Sequence, residues 1–164
     1  MAATRDIVAT YRGPGRVVRR LLGDGAEESR LLIYLMLGCG LVFVAQTPRL
    51  ARQAFQTGQE LNMLLGGTLV GWIFIMPLVF YILALLVHLV AKPLGTALDG
   101  FGSRLALFWA LLASSPVMLL WGLTAGFVGP GREMNIVGIL WLIVFFWFWI
   151  AGLFGAAKGA SDAG

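Results

Sequence analysis

The sequence contains little charge. Only 12% of its 164 residues are Asp, Glu, Lys or Arg, against about a quarter in an average soluble domain. Hydrophobic residues make up 59% of the chain, and the mean hydropathy is +0.87. A soluble globular domain cannot cover that much apolar surface, so this class is excluded. The composition is that of an integral membrane protein.

Reactive side chains are also scarce. Cys39 is the one cysteine, which excludes an intrachain disulfide, and His88 is the one histidine, which excludes a histidine pair for haem. No Asp, Glu, Lys or Arg lies in the core of an apolar run, whereas ion-coupled pumps carry such groups within the membrane. We therefore expect no metal and no cofactor.

Four long apolar runs are what the sequence does contain. A helix needs about 20 residues to cross a hydrocarbon core roughly 30 Å thick, and the runs predict spans at 27–46, 61–91, 105–128 and 134–157. The predicted fold is an all-α, polytopic transmembrane helical bundle. An amphipathic segment at 1–26 precedes the transmembrane domain of 27–157, and a disordered tail at 158–164 follows it. The stretch "TPRLARQAFQTG" predicts an interfacial helix that Thr47 caps and Gly58 ends.

The positive charges predict the orientation. Nine of the twelve Lys and Arg residues fall on the side of the two termini and three on the other. Under the positive-inside rule this places both termini in the cytoplasm. We expect a multi-pass protein of a bacterial inner membrane, with the Thr47–Gly58 helix on the periplasmic side.

The segment "RGPGRVVRRLLGDG" predicts a short basic helix. Pro14 is suited to a helix start, and apolar residues recur after it at helical spacing. Four arginines are interleaved with them and are expected to contact anionic lipid headgroups: Arg12, Arg16, Arg19 and Arg20. The alternative is a solvated flank that only sets orientation. The positive charge indicates topology, and we expect no nucleic-acid partner.

His88 is a possible polar site, because ionisable residues inside a span are often functional. A nucleophile and its base must lie about 3 Å apart. Helical rise places His88 near the inner end of its span and Ser114 roughly 9 Å deeper. A Gly-x-Ser-x-Gly motif is absent as well. We therefore predict that the chain is not an enzyme and has no catalytic residues.

Prolines interrupt two of the predicted spans. Pro116 has no N–H, so the carbonyl of Leu112 loses its helical partner and the helix bends. The neighbouring Ser114 and Ser115 can compensate with their hydroxyls. Pro77 is expected to bend the second span in the same way.

Small residues predict where helices touch, since close approach in a bilayer depends on Gly, Ala and Ser. The predicted packing positions lie on three spans: Gly38, Gly40, Gly67, Gly71, Ala151 and Gly155. They predict association within the bundle, with another membrane protein or with a second copy.

Four stretches resemble bacterial members of the Yip family of Ypt/Rab-interacting membrane proteins. They are "YRGPGRVVRRLL", "FVAQTPRLARQA", "LFWALLASSPVMLLWGLTAGFVGPG" and "WFWIAGL". The resemblance covers roughly 5–155. It implies a compact multi-helix domain that acts as a membrane scaffold. Eukaryotic relatives have five spans and bind small GTPases, whereas four are predicted here, and no functional residue carries over.

Three functions stay open on the sequence alone. The first is a non-enzymatic scaffold that organises membrane or binds a partner. The second is an accessory subunit of a larger respiratory or photosynthetic complex. The third is a small permease or channel-like oligomer, whose gate would use the bends at Pro77 and Pro116.

Overall fold

A computed structural model describes residues 2–25, 27–94 and 98–162 as a bundle of six helices. Their bounds are Ala2–Thr10 (α1), Pro14–Gly23 (α2), Glu28–Thr57 (α3), Leu61–Ala91 (α4), Gly100–Val128 (α5) and Arg132–Asp162 (α6). A short 3-10 helix at Lys92–Leu94 follows α4, and no strand occurs among the described residues. Helices α3 to α6 are each long and apolar enough to cross a membrane. The chain is thus a multi-pass membrane protein, and the predicted all-α, four-span bundle is confirmed.

Helix α5 is the centre of the bundle. In its most apolar window 72% of the residues are buried, against 33% in α3, 17% in α6 and 11% in α4. Phe108 and Trp109 of α5 are at most 1% exposed and belong to the hydrophobic core. Helices α3 and α6 pack along α5, and α4 packs against it less extensively. The interior is therefore organised around α5, and α4 is peripheral.

Glycines bring α3 and α5 into backbone contact. A Cβ atom added to Gly122 would overlap the carbonyl oxygen of Ala45, and one added to Gly126 would overlap Pro48. Nearer the other end, a Cβ on Gly38 would stand 3.0 Å from the Leu111 side chain. Gly38 thus lies at a helix contact, as its small size predicted.

The prediction of a separate interfacial helix after Thr47 is wrong. Helix α3 continues through Pro48 and ends at Gly58, which is left-handed with φ 68°. Pro48 cannot donate to the Val44 carbonyl as other residues in its place would. The Thr47 hydroxyl donates to that carbonyl instead, at 2.7 Å. With this acceptor satisfied, the helix does not have to break.

Arg52, in the extension of α3, caps the C-terminal end of α5. The Nη1 atom of Arg52 donates to the carbonyls of Gly126 and Phe127, at 3.1 and 3.2 Å. The last carbonyls of a helix have no partner within it, so the guanidinium supplies one. Gly129, with φ 97°, follows directly beside that guanidinium.

The proline positions of α4 and α5 are accommodated differently. Pro77 follows a π-helical turn at Gly71–Ile75, in which the Met76 N–H donates to the Gly71 carbonyl. At Pro116 the α-helix continues. Ser114 donates to the Leu111 carbonyl at 3.1 Å, one residue before the Leu112 carbonyl that Pro116 leaves without its usual partner. Ser114 and Ser115 are both buried.

The predicted disordered tail needs correction as far as Asp162. Helix α6 begins at Arg132 and continues through Lys158 to Asp162, while residues 163 and 164 lie outside the described part. Alanines favour helix here, and the segment is packed: a Cβ on Gly159 would stand 3.3 Å from Arg19 of α2. Helix α5 likewise begins earlier than predicted, at Gly100, where the Asp99 carboxylate accepts from the Gly102 N–H at 2.7 Å.

Candidate functional site

Helices α1 and α2 form a hairpin, called here the N-terminal hairpin (2–23). Pro14 occupies the first turn of α2, as predicted. The apolar face of α2, formed by Val17, Val18 and Leu21, is at most 5% exposed. It packs mainly on α6. This corrects the expectation of a helix lying on the bilayer, because protein and not lipid covers its apolar face.

A backbone contact seats the hairpin against α6. A Cβ on Gly155 would overlap the Gly15 carbonyl, and one on Gly15 would stand 2.7 Å from the Ala151 carbonyl oxygen. The predicted packing positions Ala151 and Gly155 therefore do lie at a helix contact. Their partner is Gly15 of the hairpin, which the sequence did not identify.

The tip of the hairpin docks against the middle of α5. The indole N–H of Trp109 donates to Thr10 Oγ1 at 3.0 Å, and the Tyr11 hydroxyl donates to the Ala113 carbonyl at 3.2 Å. The Tyr11 ring meets Phe148 of α6 edge to face, with the ring centroids 4.9 Å apart. Partial burial raises the pKa of Tyr11 above its usual 10.0, so the donor at neutral pH is the neutral phenol.

The hairpin reaches deep into the bundle. The end of α2, the start of α5 and the end of α6 lie on one side of the bundle, here called the terminal side, where Gly23, Asp99 and Ala160 line a common cavity. An ion pair between Arg104 and Glu28, 2.5 Å long and partly exposed, lies near the first turns of α5 and α3. Trp109 and Ala113 follow Arg104 along α5 by about 8 and about 14 Å at helical rise. The hairpin tip therefore contacts α5 within the apolar run of that helix, well beyond the Arg104–Glu28 pair.

Four arginines line an open groove between α1 and α2: Arg5, Arg12, Arg16 and Arg20. Three of them were predicted to contact headgroups. The fourth predicted residue, Arg19, instead borders cavities beside α6. Arg5 was missed, because α1 lacks the strong amphipathic pattern of α2. We call this feature the arginine groove.

His88 lies in a second cavity, between α4 and α5. Tyr81, Ala84, Gly100 and Arg104 are among the residues that line it. The Nδ1 atom of His88 is buried without a hydrogen-bond partner. A Cβ on Gly100 would stand 3.9 Å from the imidazole ring.

The structure separates His88 from Ser114. Since the imidazole lies beside Gly100, Ser114 is about 21 Å further along α5 at helical rise. The Ser114 hydroxyl donates to the Leu111 carbonyl of its own helix. Within the described residues there is also no group of three His, Cys, Asp or Glu side chains that could hold a metal ion.

The remaining predicted packing glycines are not packed within the chain. A Cβ on Gly40, Gly67 or Gly71 would meet no atom within 4 Å. The association predicted at these positions therefore has no partner among the described residues. Gly67 and Gly71 lie on the first half of α4, which is the least buried of the four long helices, and Gly40 lies on α3.

Comparison with protein-family models, with curated proteins and with solved structures finds no match to this chain. The geometry of its own residues is therefore the basis for proposing a function.

Proposed function

We propose that this chain is a non-enzymatic, membrane-organising scaffold of the Yip type. In this proposal it resides in a bacterial inner membrane, with both termini in the cytoplasm, and works by association with another membrane protein. The filled interior of the bundle supports a scaffold over a conducting chain. Trp109, Phe108 and Phe148, all at most 1% exposed, occupy the centre between the helices.

The observation that carries the proposal is the open glycine surface on the first half of α4. No residue from Leu61 to Ile75 is buried, although this part lies beside α3. It contains Gly66, Gly67 and Gly71, each with open space where a Cβ would stand. A glycine in a helix costs roughly 0.5–1 kcal/mol relative to alanine. No contact from the described residues offsets that cost.

Contact with a helix of another protein would offset it. In a bilayer, small residues allow two backbones to approach closely and gain van der Waals contact. The π turn at Gly71–Ile75 adds to this, because such turns are frequent at functional sites. We therefore assign the association surface to Leu61–Ile75 of α4, and call it the α4 surface.

Cysteine crosslinking tests the α4 surface. Cys39 is the one cysteine of the chain and is fully buried, so Cys39→Ala gives a clean background. Gly67→Cys and Gly71→Cys, labelled with a maleimide that carries a photoreactive benzophenone, are expected to form one specific adduct in native membranes, because the excited ketone inserts into a C–H bond of the neighbouring helix. Leu86→Cys and Val90→Cys, at exposed positions on the second half of α4, are the matched controls and should form much less.

The mass of the adduct identifies the partner. An adduct of twice the chain's own mass indicates a second copy, and a single heavier adduct indicates another membrane protein. If that partner belongs to one stoichiometric complex, the accessory-subunit alternative gains over the scaffold. Equally weak adduct formation at all four positions would show that no specific partner helix covers this surface. That result would remove the basis of the proposal.

A further inference from the structure

We infer that the arginine groove binds a phosphate group, carried by an anionic lipid headgroup that is drawn below the surrounding headgroup plane. This goes beyond the scaffold proposal and does not depend on the α4 surface. The inference combines the charge of the groove, its depth and the rigidity of its seat.

The groove carries more positive charge than the chain neutralises. Asp6 of α1 forms an ion pair with Arg20 of α2 across the hairpin. The Nη2 atom of Arg16 donates only to the Arg12 carbonyl, at 3.2 Å. No acidic side chain is among the described residues that line the groove itself. Three of its four guanidinium groups therefore have no anionic partner among the described residues.

Depth favours an anion at the tip of the groove. Arg12 follows Tyr11, whose hydroxyl reaches Ala113, about 14 Å along α5 from the Arg104–Glu28 pair, while Arg16 lines a cavity with Lys158 nearer the end of α6. A charged arginine at such a depth is costly unless polar groups or lipid headgroups reach it, and local thinning of the bilayer is one way that they do. Arg12 and Arg16 are both exposed, so they face that lipid.

The hairpin cannot easily lift these arginines to the surface. Its tip is hydrogen-bonded to Trp109 and Ala113, and its α2 backbone is in contact with Gly155. Because the hairpin is held in place, the phosphate must come to the guanidinium groups. Guanidinium donors match phosphate oxygens in two-pronged geometry, which favours phosphate over other anions at a membrane boundary.

The experiment measures lipid binding by the full chain. The protein is placed in phosphatidylcholine nanodiscs with increasing fractions of phosphatidylglycerol, and retained lipid is quantified by native mass spectrometry. Arg12→Gln/Arg16→Gln is expected to lower the affinity for phosphatidylglycerol about tenfold or more, since it removes two charged hydrogen-bond donors. Arg19→Gln/Arg30→Gln removes the same charge on the same side but outside the groove, and should change the affinity less than about threefold.

Two further arms complete the test. Arg12→Lys/Arg16→Lys keeps the charge but loses the two-pronged donors, and is expected to bind with intermediate affinity. The lysine variant also tests the site if the glutamine variant does not fold.

Inorganic phosphate and glycerol 3-phosphate are added as competitors in detergent. Failure to displace the lipid supports the headgroup as the source, whereas displacement supports the phosphate site but overturns the lipid as its natural ligand. Equal losses in the groove and control variants would overturn the site, because only general basic charge would then matter.

Discussion

Replacing Gly122 with alanine is expected to separate α3 from α5 and to destabilise the chain by about 3 kcal/mol or more. Overpacking a tight interior usually costs about 1–3 kcal/mol, and here the obstacle is a backbone atom. The added Cβ would overlap the carbonyl oxygen of Ala45. A backbone carbonyl cannot rotate away as a side chain can, so the helices must move apart. Thermal unfolding of the purified protein in detergent, followed by circular dichroism, measures the loss.

Gly40→Ala is the matched control. It makes the same change in α3, at a position where a Cβ meets no atom within 4 Å. Its stability should stay the same or rise by up to about 1 kcal/mol, because alanine favours a helix over glycine. Comparable destabilisation in both variants would contradict the claim that backbone contact at Gly122 holds α3 and α5 together.

The class of the fold could be predicted because a membrane imposes it directly. A span must be apolar over its whole length, and this requirement is visible in a sequence without knowledge of any contact. The four spans therefore follow from composition and run length. The ends of the helices cannot be predicted in this way, because they depend on single hydrogen bonds such as the one from Thr47 to the Val44 carbonyl.

Glycine spacing could not predict which surfaces touch. Gly67 and Gly71 have the same spacing as Gly122 and Gly126, yet the first pair has no neighbour and the second is in backbone contact with α3. Spacing shows only that two helices are able to approach closely. Whether they do depends on which way each helix faces, and the position of every other helix decides that.

The candidate site was predicted in its chemistry but not in its place. Arginines at helical spacing indicated affinity for anions, and Arg12, Arg16 and Arg20 do lie in one groove. Positive charge favours the membrane surface, however, so depth was not expected. The tertiary contacts of Thr10 and Gly15 override that preference, and they involve residues that are distant in sequence from their partners.

Thr10→Val is expected to release the tip of the hairpin. Valine keeps the shape of threonine but removes the oxygen that accepts from the Trp109 indole at 3.0 Å. Trp109 is 1% exposed and Thr10 is fully buried, so water cannot replace the lost partner. Leaving a buried donor unpaired costs roughly 1–3 kcal/mol. Few other polar contacts hold the tip, so the hairpin should open locally before the bundle unfolds.

Single-cysteine labelling measures this opening. In the Cys39→Ala background, Val18→Cys is the probe, because this position on α2 is only 1% exposed in the docked hairpin and becomes reactive when the hairpin opens. Hydrogen exchange of the α1 and α2 amides measures the same event without a label. Thr10→Val should speed exchange in the hairpin roughly tenfold, as about 1.4 kcal/mol predicts, and leave α5 unchanged. Thr10→Ser keeps the acceptor and should exchange nearly as the natural chain does.

A double-mutant cycle assigns the effect to the hydrogen bond. Trp109→Phe removes the donor. The double variant should therefore be little less stable than Trp109→Phe alone, which corresponds to a coupling energy of roughly 1 kcal/mol between the two positions. If Thr10→Val costs the same in both backgrounds, the bond does not hold the hairpin. The lost contact would then be the one that the Thr10 hydroxyl makes with the Asp6 carbonyl at 2.6 Å. Released hairpins should also bind phosphatidylglycerol more weakly, because the groove is then free to leave the apolar layer.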